Sequence, residues 1–411
     1  MAGQEATIGA LGVLIIIGVA SRFFLKKTGF SDIFLLMLFG VATGIFLPSA
    51  TVATLSTIAL PFAAITLLMI MLDEGLNLSF EHLKRMAHKA LIFGLASFLL
   101  SFIFSFSLSF FVMGWGFFLS LIIGAMFGSV APELLSGFLA GLGAGKEVRA
   151  LGELEAIFSD ALSLMLCLIF VGAMVSGQQS ASPLPLEILI TVLLSIALGG
   201  VCAALWRAFL SRTEHENQHL LVIGIAAVLY AASGALGANS VIAVFTFAFF
   251  LGNISHPSIG EMRRFQDEIS FFLRTFFFVY LGILLVHSPA PFEIGLFAAA
   301  LSFLLAAARL LSGKFAGILE PSARESRLLE SVSARGLTAA VLSVVVWQEL
   351  SAADIAPSVD IPLLALFIIF FTNAISAFLV LRKGGEGMRK KKELGGKADI
   401  GVLARGGLDA V

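Results

Sequence analysis

The chain has 411 residues, of which 59% are hydrophobic and only 13% are charged, and its formal net charge is −1. Soluble globular proteins are about 45–50% apolar and about 25% charged, so this composition excludes a soluble enzyme, a disordered chain and a nucleic-acid-binding protein. It is typical of a polytopic membrane protein.

Apolar runs long enough to cross a membrane follow one another along nearly the whole chain. A transmembrane helix needs about 20 apolar residues to cross about 30 Å of hydrocarbon. On this basis we predict an all-α polytopic membrane protein with about 13 transmembrane helices. The predicted spans lie near residues 7–25, 31–48, 54–74, 90–113, 116–143, 150–176, 185–206, 218–236, 238–253, 265–287, 291–313, 328–348 and 360–381.

The basic residues predict how these spans are oriented. All 26 Lys and Arg residues lie in odd-numbered connections or in the C-terminal tail, except Arg274, Arg309 and Arg335, which lie inside spans. Because Lys and Arg concentrate in cytoplasmic loops, this alternation predicts an odd number of spans, an external N-terminus and a cytoplasmic C-terminus. We expect a multi-pass plasma-membrane protein, with residues 1–382 as one transmembrane domain and 383–411 as a short, basic, disordered tail.

Asp160 is the strongest functional signal because it lies about ten residues into the sixth span, near mid-depth, where a charge is costly. Burial favours the neutral form of a carboxyl group, and a bound cation favours the ionised form. One carboxylate there can hold a proton or a monovalent cation, but not both. Asp160 therefore predicts exchange of a cation for a proton.

The fifth span is predicted to break at mid-membrane. Pro132 cannot donate a hydrogen bond to the carbonyl of Gly128, and it disfavours helical geometry at Ala131. Glu133 would then lie in the first turn of a second half-helix, at its positive end. Broken helices are tolerated inside a membrane where their backbone lines a cavity.

The twelfth span contains Arg335 followed by Gly336, which marks a flexible point. An arginine deep in a span needs an acidic partner. We expect that partner to be Glu155, with Glu330 as the rival nearer the end of its span. Glu155 points about 140° away from Asp160 around the sixth helix, so one face can meet the arginine and another the ion.

Several segments, in the same order along the chain, resemble the NhaP-type sodium/proton antiporters of the monovalent cation:proton antiporter superfamily. The most specific resemblance runs from Gly124 to Leu164. The other segments that match are LDEGLNL at 72–78, GANSVIAVFTFAFFLGN at 237–253, FFFVYLGILL at 276–285 and SARGLTAA at 333–340.

The resemblance implies an inverted-repeat antiporter fold in which broken helices of spans 5 and 12 cross beside the ion site. It implies a core bundle of about residues 89–176 and 291–381, with the remaining spans as scaffold, and a homodimer. It also implies roles for individual residues: Asp160 carries the exchanged ion, Glu155 and Arg335 form a structural ion pair, and Asp73, Ser159, the Val130 carbonyl and residue Ala156 line the site.

The sequence departs from the family pattern at the site itself. Val130-Ala131 stand where the family has Thr-Asp before the proline, Ala156 stands for a frequent Ser, and Ser159 replaces Asn. Glu133 could balance the half-helix dipole, and Ser163, on the same face as Asp160, could supply an oxygen. Since Ser159-Asp160 has one carboxylate, the resemblance implies electroneutral exchange of one cation for one proton.

We therefore expect a secondary antiporter that exchanges Na⁺, or Li⁺, for H⁺ and serves pH homeostasis, with no cofactor. The alternatives are a K⁺/H⁺ exchanger, a Na⁺-coupled symporter for a small solute, and a channel or non-transporting sensor. A zinc metalloprotease is the alternative from another class, because residues 215–219 read His-Glu-Asn-Gln-His, with His215, Glu216 and His219 in zinc-binding spacing. A helix-capping box formed by Thr213 and Glu216 explains that stretch better.

Overall fold

The structure, a computed structural model, describes residues 12, 15–20, 32–78, 80–141, 144–175, 184–210, 218–254, 258–287, 292–317 and 328–379. Within these residues the chain is almost entirely helical. The helices are α1 Asp32–Gly44, α2 Ser49–Asn77, α3 Phe80–Ser107, α4 Phe117–Met126, α5 Pro132–Gly141, α6 Lys146–Val175, α7 Leu184–Leu210, α8 Gln218–Ala235, α9 Ser240–Gly252, α10 Ser258–His287, α11 Phe292–Gly317, α12 Leu337–Ala352 and α13 Ile361–Leu379. Residues Leu108–Val112 form a π-helical turn directly after α3.

The lengths of these helices agree with a chain that crosses a membrane many times. Seven of the described helices are long and apolar enough to span a bilayer by length and composition alone. Four shorter apolar helices lie among them, including α4 and α12. The predicted first span falls largely outside the described residues, and the predicted tail at 383–411 falls outside them entirely.

Both predicted helix breaks are confirmed. The fifth span divides into α4, which ends at Met126, and α5, which begins at Pro132. Proline fits the first position of a helix because its missing N–H would have had no partner there. The twelfth span has non-helical backbone from 332 to 336, and α12 begins after Gly336.

The two interrupted segments meet each other inside the protein. The backbone N–H of Ala131 donates to the carbonyl of Ala334 over 3.1 Å. The Nε atom of Arg335 donates to the carbonyl of Phe127 over 3.0 Å. Each segment therefore satisfies backbone groups that the other has released from helical pairing.

Helix α13 holds the second break in place through side chains. The hydroxyl of Thr372 accepts a hydrogen bond from the N–H of Arg335, and the amide of Asn373 donates to the carbonyl of the same residue over 2.9 Å. Ser376 accepts from the N–H of Ser333 over 3.1 Å. Unpaired backbone polar groups are costly in an apolar interior, and these contacts remove that cost.

The helix contacts fall into two groups. Helices α3, α4, α5, α6 and α11 pack on one another, and α1, α2, α7, α8, α9 and α10 form the second group. Helix α12 contacts both groups, since it packs on α6 of the first and on α2 of the second. The crossing of the two breaks lies against α6, which carries Asp160.

Candidate ion-binding site

Asp160 lies where the two breaks cross, and it is only 2% exposed. Its Oδ1 atom accepts a hydrogen bond from the hydroxyl of Ser129 over 2.7 Å, and its Oδ2 atom accepts a short one from the hydroxyl of Thr338. Ser129 belongs to the first break, and Thr338 lies in the first turn of α12 after the second. Each of the two broken spans therefore donates one hydroxyl hydrogen bond to the same carboxylate.

The position of Thr338 also sets the electrostatics around Asp160. The first turn of a helix carries unpaired N–H groups and the positive end of the helix dipole. Because Thr338 is the second residue of α12, that positive end lies at the carboxylate. The arrangement offsets part of the large cost of burying an ionised group.

Glu74 of α2 reaches the same carboxylate from the other group of helices. Its side chain is 8% exposed and lies close enough to Asp160 for the two carboxyl groups to interact. The predicted acid at this place was Asp73. That residue is half-buried and accepts a hydrogen bond of 2.8 Å from Asn77, one helical turn on. Glu74, which lies about 100° from Asp73 around the helix, is the more deeply buried of the two acids.

The predicted ion pair between Glu155 and Arg335 is wrong. Glu155 pairs with Arg309 of α11, through contacts of 2.6 Å and 2.8 Å between the two guanidinium nitrogens and the two carboxylate oxygens. The same guanidinium donates to the hydroxyl of Ser97 and to the carbonyl of Leu329, and it lies over the ring of Phe93.

Arg335 lies at the crossing of the breaks. Besides the Phe127 carbonyl, it donates to the carbonyl of Ser333 over 2.8 Å and to the hydroxyl of Ser101 over 3.3 Å. It is 1% exposed and close enough to Asp160 for the two charges to interact. Its hydrogen-bond partners are one backbone carbonyl from each break and the hydroxyl of Ser101, so the guanidinium ties the two breaks together.

Four other predicted residues lie near Asp160 in sequence or space. Val130 is buried at the break, and its carbonyl accepts no hydrogen bond from the residues that the structure describes. The hydroxyl of Ser163 donates to the Ala125 carbonyl at the end of α4 over 2.6 Å. Ser159 donates to the carbonyl of Ala156 in its own helix over 3.0 Å. The structure therefore places Val130 in the break directly after Ser129 and directs the Ser159 and Ser163 hydroxyls to backbone carbonyls.

The remaining predicted residues are structural in position. Pro132 begins α5 and Gly336 precedes α12, as the predicted breaks require. Glu133 is in the first turn of α5, and its side chain lies outside the described residues. Of the zinc-binding pattern, His215 and Glu216 also lie outside them, whereas the His219 ring packs on Phe265 with 4.5 Å between ring centroids.

Four residues of the site were not assigned these roles from the sequence: Ser129, Thr338, Glu74 and Arg309. Signals for them were present. Ser129 precedes the predicted break by two residues, and Thr338 follows Arg335 by three within the segment that resembles the family. Arg309 was a buried basic residue without a predicted partner, and a charge inside a span calls for one.

An apolar cavity of about 390 Å³ lies beside the site, where the two groups of helices face each other. Phe158 and Met165 of α6 line one side, and Met71 of α2 with Ile242 and Phe245 of α9 line the other. All the residues that line this cavity are apolar.

The sequence profile described as Sodium/hydrogen exchanger, transmembrane, matches residues 12–391. The chain belongs to the sodium/hydrogen exchanger family. This membership confirms the family resemblance of the sequence, and the relatives named below are transporters rather than enzymes.

Two relatives illustrate how this exchanger-family chain compares with named proteins. It is 24% identical over 293 residues to the Probable Na(+)/H(+) antiporter 2 of Methanocaldococcus jannaschii, which covers 67% of this chain and 68% of that protein. It is 26% identical over 172 residues to the K(+)/H(+) antiporter NhaP2 of Shewanella sp. (strain MR-4). That second match covers 41% of this chain and 30% of the relative's length.

The fold of this exchanger-family chain is similar to that of the sodium proton antiporter MjNhaP1 from Methanocaldococcus jannaschii. The TM-score is 0.75 at 23% identity, with 93% of this chain and 97% of that chain covered. The predicted all-α antiporter fold with broken helices in spans 5 and 12 is therefore confirmed.

Proposed function

We propose that this protein is a secondary antiporter that exchanges Na⁺ for H⁺ at Asp160. The observation that carries the proposal is the burial of this carboxylate at the crossing of two broken helices, with one hydroxyl ligand from each. Membership of the sodium/hydrogen exchanger family supports the same reaction.

A site built around one buried carboxylate exchanges ions because its ligands cannot serve two cations at once. A proton on Asp160 removes the negative charge that attracts Na⁺, and bound Na⁺ stabilises the ionised form that has lost the proton. If the site moves across the membrane only when loaded, the two fluxes are coupled one to one.

Oxygen atoms suited to a small, hard cation surround the carboxylate. Ser129 and Thr338 offer hydroxyl oxygens, and Val130 offers a carbonyl that no described group uses. Hard cations prefer such oxygen ligands. These oxygens replace the side chains lost where Val130-Ala131 stand for Thr-Asp, so the departure from the family pattern is compatible with cation binding.

The transport step is proposed as a movement of one group of helices against the other. We assign residues of about 89–176 and 291–381 to a moving core and the remaining spans to a scaffold that forms a homodimer in the lipid bilayer. The apolar interface around Phe158, Met165 and Phe245 supports this division, because apolar contact is non-directional and tolerates sliding. The positive-inside pattern supports a plasma-membrane orientation with the N-terminus outside and the C-terminus cytoplasmic.

The test is proton flux in proteoliposomes after addition of Na⁺, Li⁺ or K⁺ to the wild-type protein and to Asp160→Asn. We expect Na⁺ and Li⁺ to drive proton movement in the wild type and not in the variant. The control is Asp360→Asn, an acid-to-amide change at the start of α13, where Asn also caps a helix well. Normal exchange by folded Asp160→Asn protein would refute the proposal.

K⁺/H⁺ exchange is the second candidate, because several relatives carry the name K(+)/H(+) antiporter. The same liposomes distinguish the two: flux driven by K⁺ and not by Na⁺ assigns the chain to that activity. A Na⁺-coupled symporter would give no cation-driven proton flux at all.

A further inference from the structure

Within the described helices, the chain passes from one group to the other at three places: between α2 and α3, between α6 and α7, and between α10 and α11. The first passage is the shortest, because α2 ends at Asn77 and α3 begins at Phe80. Although only two residues separate these helices, their described parts make almost no contact with each other. Helix α2 packs on α9 and α10, whereas α3 packs on α6 and α11. Movement of one group against the other therefore acts directly on this short passage.

Asn253, which follows the last residue of α9, holds the passage from both sides. Its Nδ2 atom donates to the carbonyl of Leu78 over 2.9 Å, and its Oδ1 atom accepts from the N–H of Phe80 over 2.6 Å. The same Nδ2 atom also donates to the carbonyl of Phe249 in the last turn of α9 over 2.7 Å. One amide group thus joins the end of α2 and the start of α3 to α9.

These contacts use backbone groups that helix ends leave without partners. The first N–H groups of a helix have no acceptor within it, and Phe80 is the first residue of α3. Asn253 supplies that acceptor from a position 173 residues later in the chain. The ring of Phe80 adds a contact with the ring of Phe249, with 4.6 Å between the centroids. The start of α3 is therefore bound to α9 through both its backbone and its side chain.

The helix ends around Asn253 are locked to each other. Arg263 of α10 donates to the carbonyl of Leu76 near the end of α2 and to that of Gly252 at the end of α9, over 3.0 Å each. A positive charge is favourable there because the C-terminal end of a helix is negative. A Cβ atom at Gly252 would lie 2.3 Å from the Leu76 carbonyl oxygen, so the two helix ends meet backbone to backbone. Bending at the passage therefore falls on the α3 side.

The tie lies at the interface along which the two groups face each other, and apart from the ion ligands. Leu78 and Phe249, which Asn253 contacts, both line the apolar cavity between the groups. The hydroxyls that bond to Asp160 come from the two breaks instead. Asn253 is therefore placed to act on the movement of the groups rather than on the binding of the ion.

We propose, resting on the exchange function above, that Asn253 is a positioning residue for transport, which fixes the passage from α2 to α3 to the scaffold so that the moving core turns about this point. Hinges between moving parts of a protein are a few residues at the ends of elements, far from the site itself. With this point fixed, the core reaches the same two end positions in every cycle. Without the tie, the start of α3 drifts from α9, and fewer movements bring Asp160 to a productive position.

The test is the initial exchange rate in proteoliposomes as the Na⁺ concentration is varied, for the wild type and for Asn253→Ala. Because the oxygens around Asp160 are untouched, we expect a half-maximal Na⁺ concentration within about twofold of the wild-type value and a maximal rate that falls about fivefold or more. Asn239→Ala is the matched control, since Asn239 caps the start of the same helix by accepting from the N–H groups of Val241 and Ile242. It should lower the melting temperature at least as much and keep the wild-type maximal rate.

Phe80→Pro is the second variant, and it is compared with Phe80→Ala. Both lose the ring, but only proline lacks the N–H that Asn253 accepts, and proline fits the first position of a helix. We expect a lower maximal rate in Phe80→Pro than in Phe80→Ala. The double variant Asn253→Ala/Phe80→Pro should lose less than the product of the two single losses, because both changes remove the same hydrogen bond.

Three outcomes would each overturn the role of Asn253: a wild-type maximal rate in Asn253→Ala, equal losses of rate in Asn253→Ala and Asn239→Ala, or equal rates in Phe80→Pro and Phe80→Ala. Absence of cation-driven proton flux in wild-type liposomes would overturn the exchange function itself, so the two failures are distinct.

Discussion

Arg309 donates two parallel hydrogen bonds to Glu155, from Nη1 to Oε1 and from Nη2 to Oε2, at a point where both side chains are almost fully buried. This geometry matches guanidinium to carboxylate atom by atom. The pair joins α11 to α6 five residues before Asp160. It fixes the face that α6 turns toward the crossing of the breaks.

Removal of one member of this pair is predicted to destabilise the fold strongly. In Arg309→Met the Glu155 carboxylate stays buried without its partner, and such a loss costs about 3–5 kcal/mol in the free energy of unfolding. The double variant Glu155→Leu/Arg309→Met removes both charges and should recover much of that loss. Thermal unfolding in detergent measures both. A single variant that melts at the wild-type temperature would contradict the structural role of the pair.

The sequence predicted the features that depend on local chemistry. Pro132 cannot continue a helix, and Gly336 beside a buried arginine marks an interruption, so both breaks could be placed from the chain itself. Asp160 could be identified because burying a carboxylate in the middle of a membrane span is energetically costly, and such residues usually have a function.

The sequence could not predict which buried residues meet. The spans are apolar on all sides, so they carry no amphipathic pattern that would show how each helix is rotated about its axis. For this reason Glu155 was assigned to Arg335 rather than to Arg309. That error is a choice between two like charges, and only the packed structure decides it.

The two hydroxyl ligands of Asp160 are predicted to set the affinity for the cation. Thr338→Val keeps the shape of the side chain, and Ser129→Ala removes one atom, so the helices should still pack. A hydrogen bond or ligand to a charged group contributes about 1.5–3 kcal/mol, which corresponds to about a tenfold or larger rise in the Na⁺ concentration at half-maximal flux for each variant.

Ser343→Ala is the control for these changes. Ser343 is also buried on α12, but its hydroxyl donates to the Ala340 carbonyl of its own helix. It should leave the Na⁺ dependence of exchange in liposomes unchanged. An equal effect of Ser343→Ala and Thr338→Val would mean that packing, and not ligation of the ion, explains the loss.

The contact between α1 and α10 is predicted to tolerate no side chain at Gly40. A Cβ atom there would lie 2.2 Å from the carbonyl oxygen of Val279, and one at the facing Gly282 would lie 2.3 Å from the carbonyl of Met37. Gly40→Ala should therefore force the helices apart and cost about 1–3 kcal/mol of stability. At Gly295 of α11 a Cβ atom meets nothing within 4 Å, so Gly295→Ala should leave the melting temperature unchanged or raise it. Equal melting temperatures for the two variants would contradict the close packing of α1 on α10.

Exchange is predicted to be insensitive to membrane potential. One proton and one Na⁺ carry the same charge, so a one-for-one cycle moves no net charge across the membrane. A cycle that moved one net charge would instead gain about 2.3 kcal/mol for every 100 mV of potential. The measurement is Na⁺-driven proton flux in proteoliposomes at zero and at imposed potential, with a voltage-sensitive dye to verify the potential and Asp160→Asn liposomes to subtract the leak. A flux that rises steeply with the potential would reject one-for-one exchange and require a second charge to move with the ion.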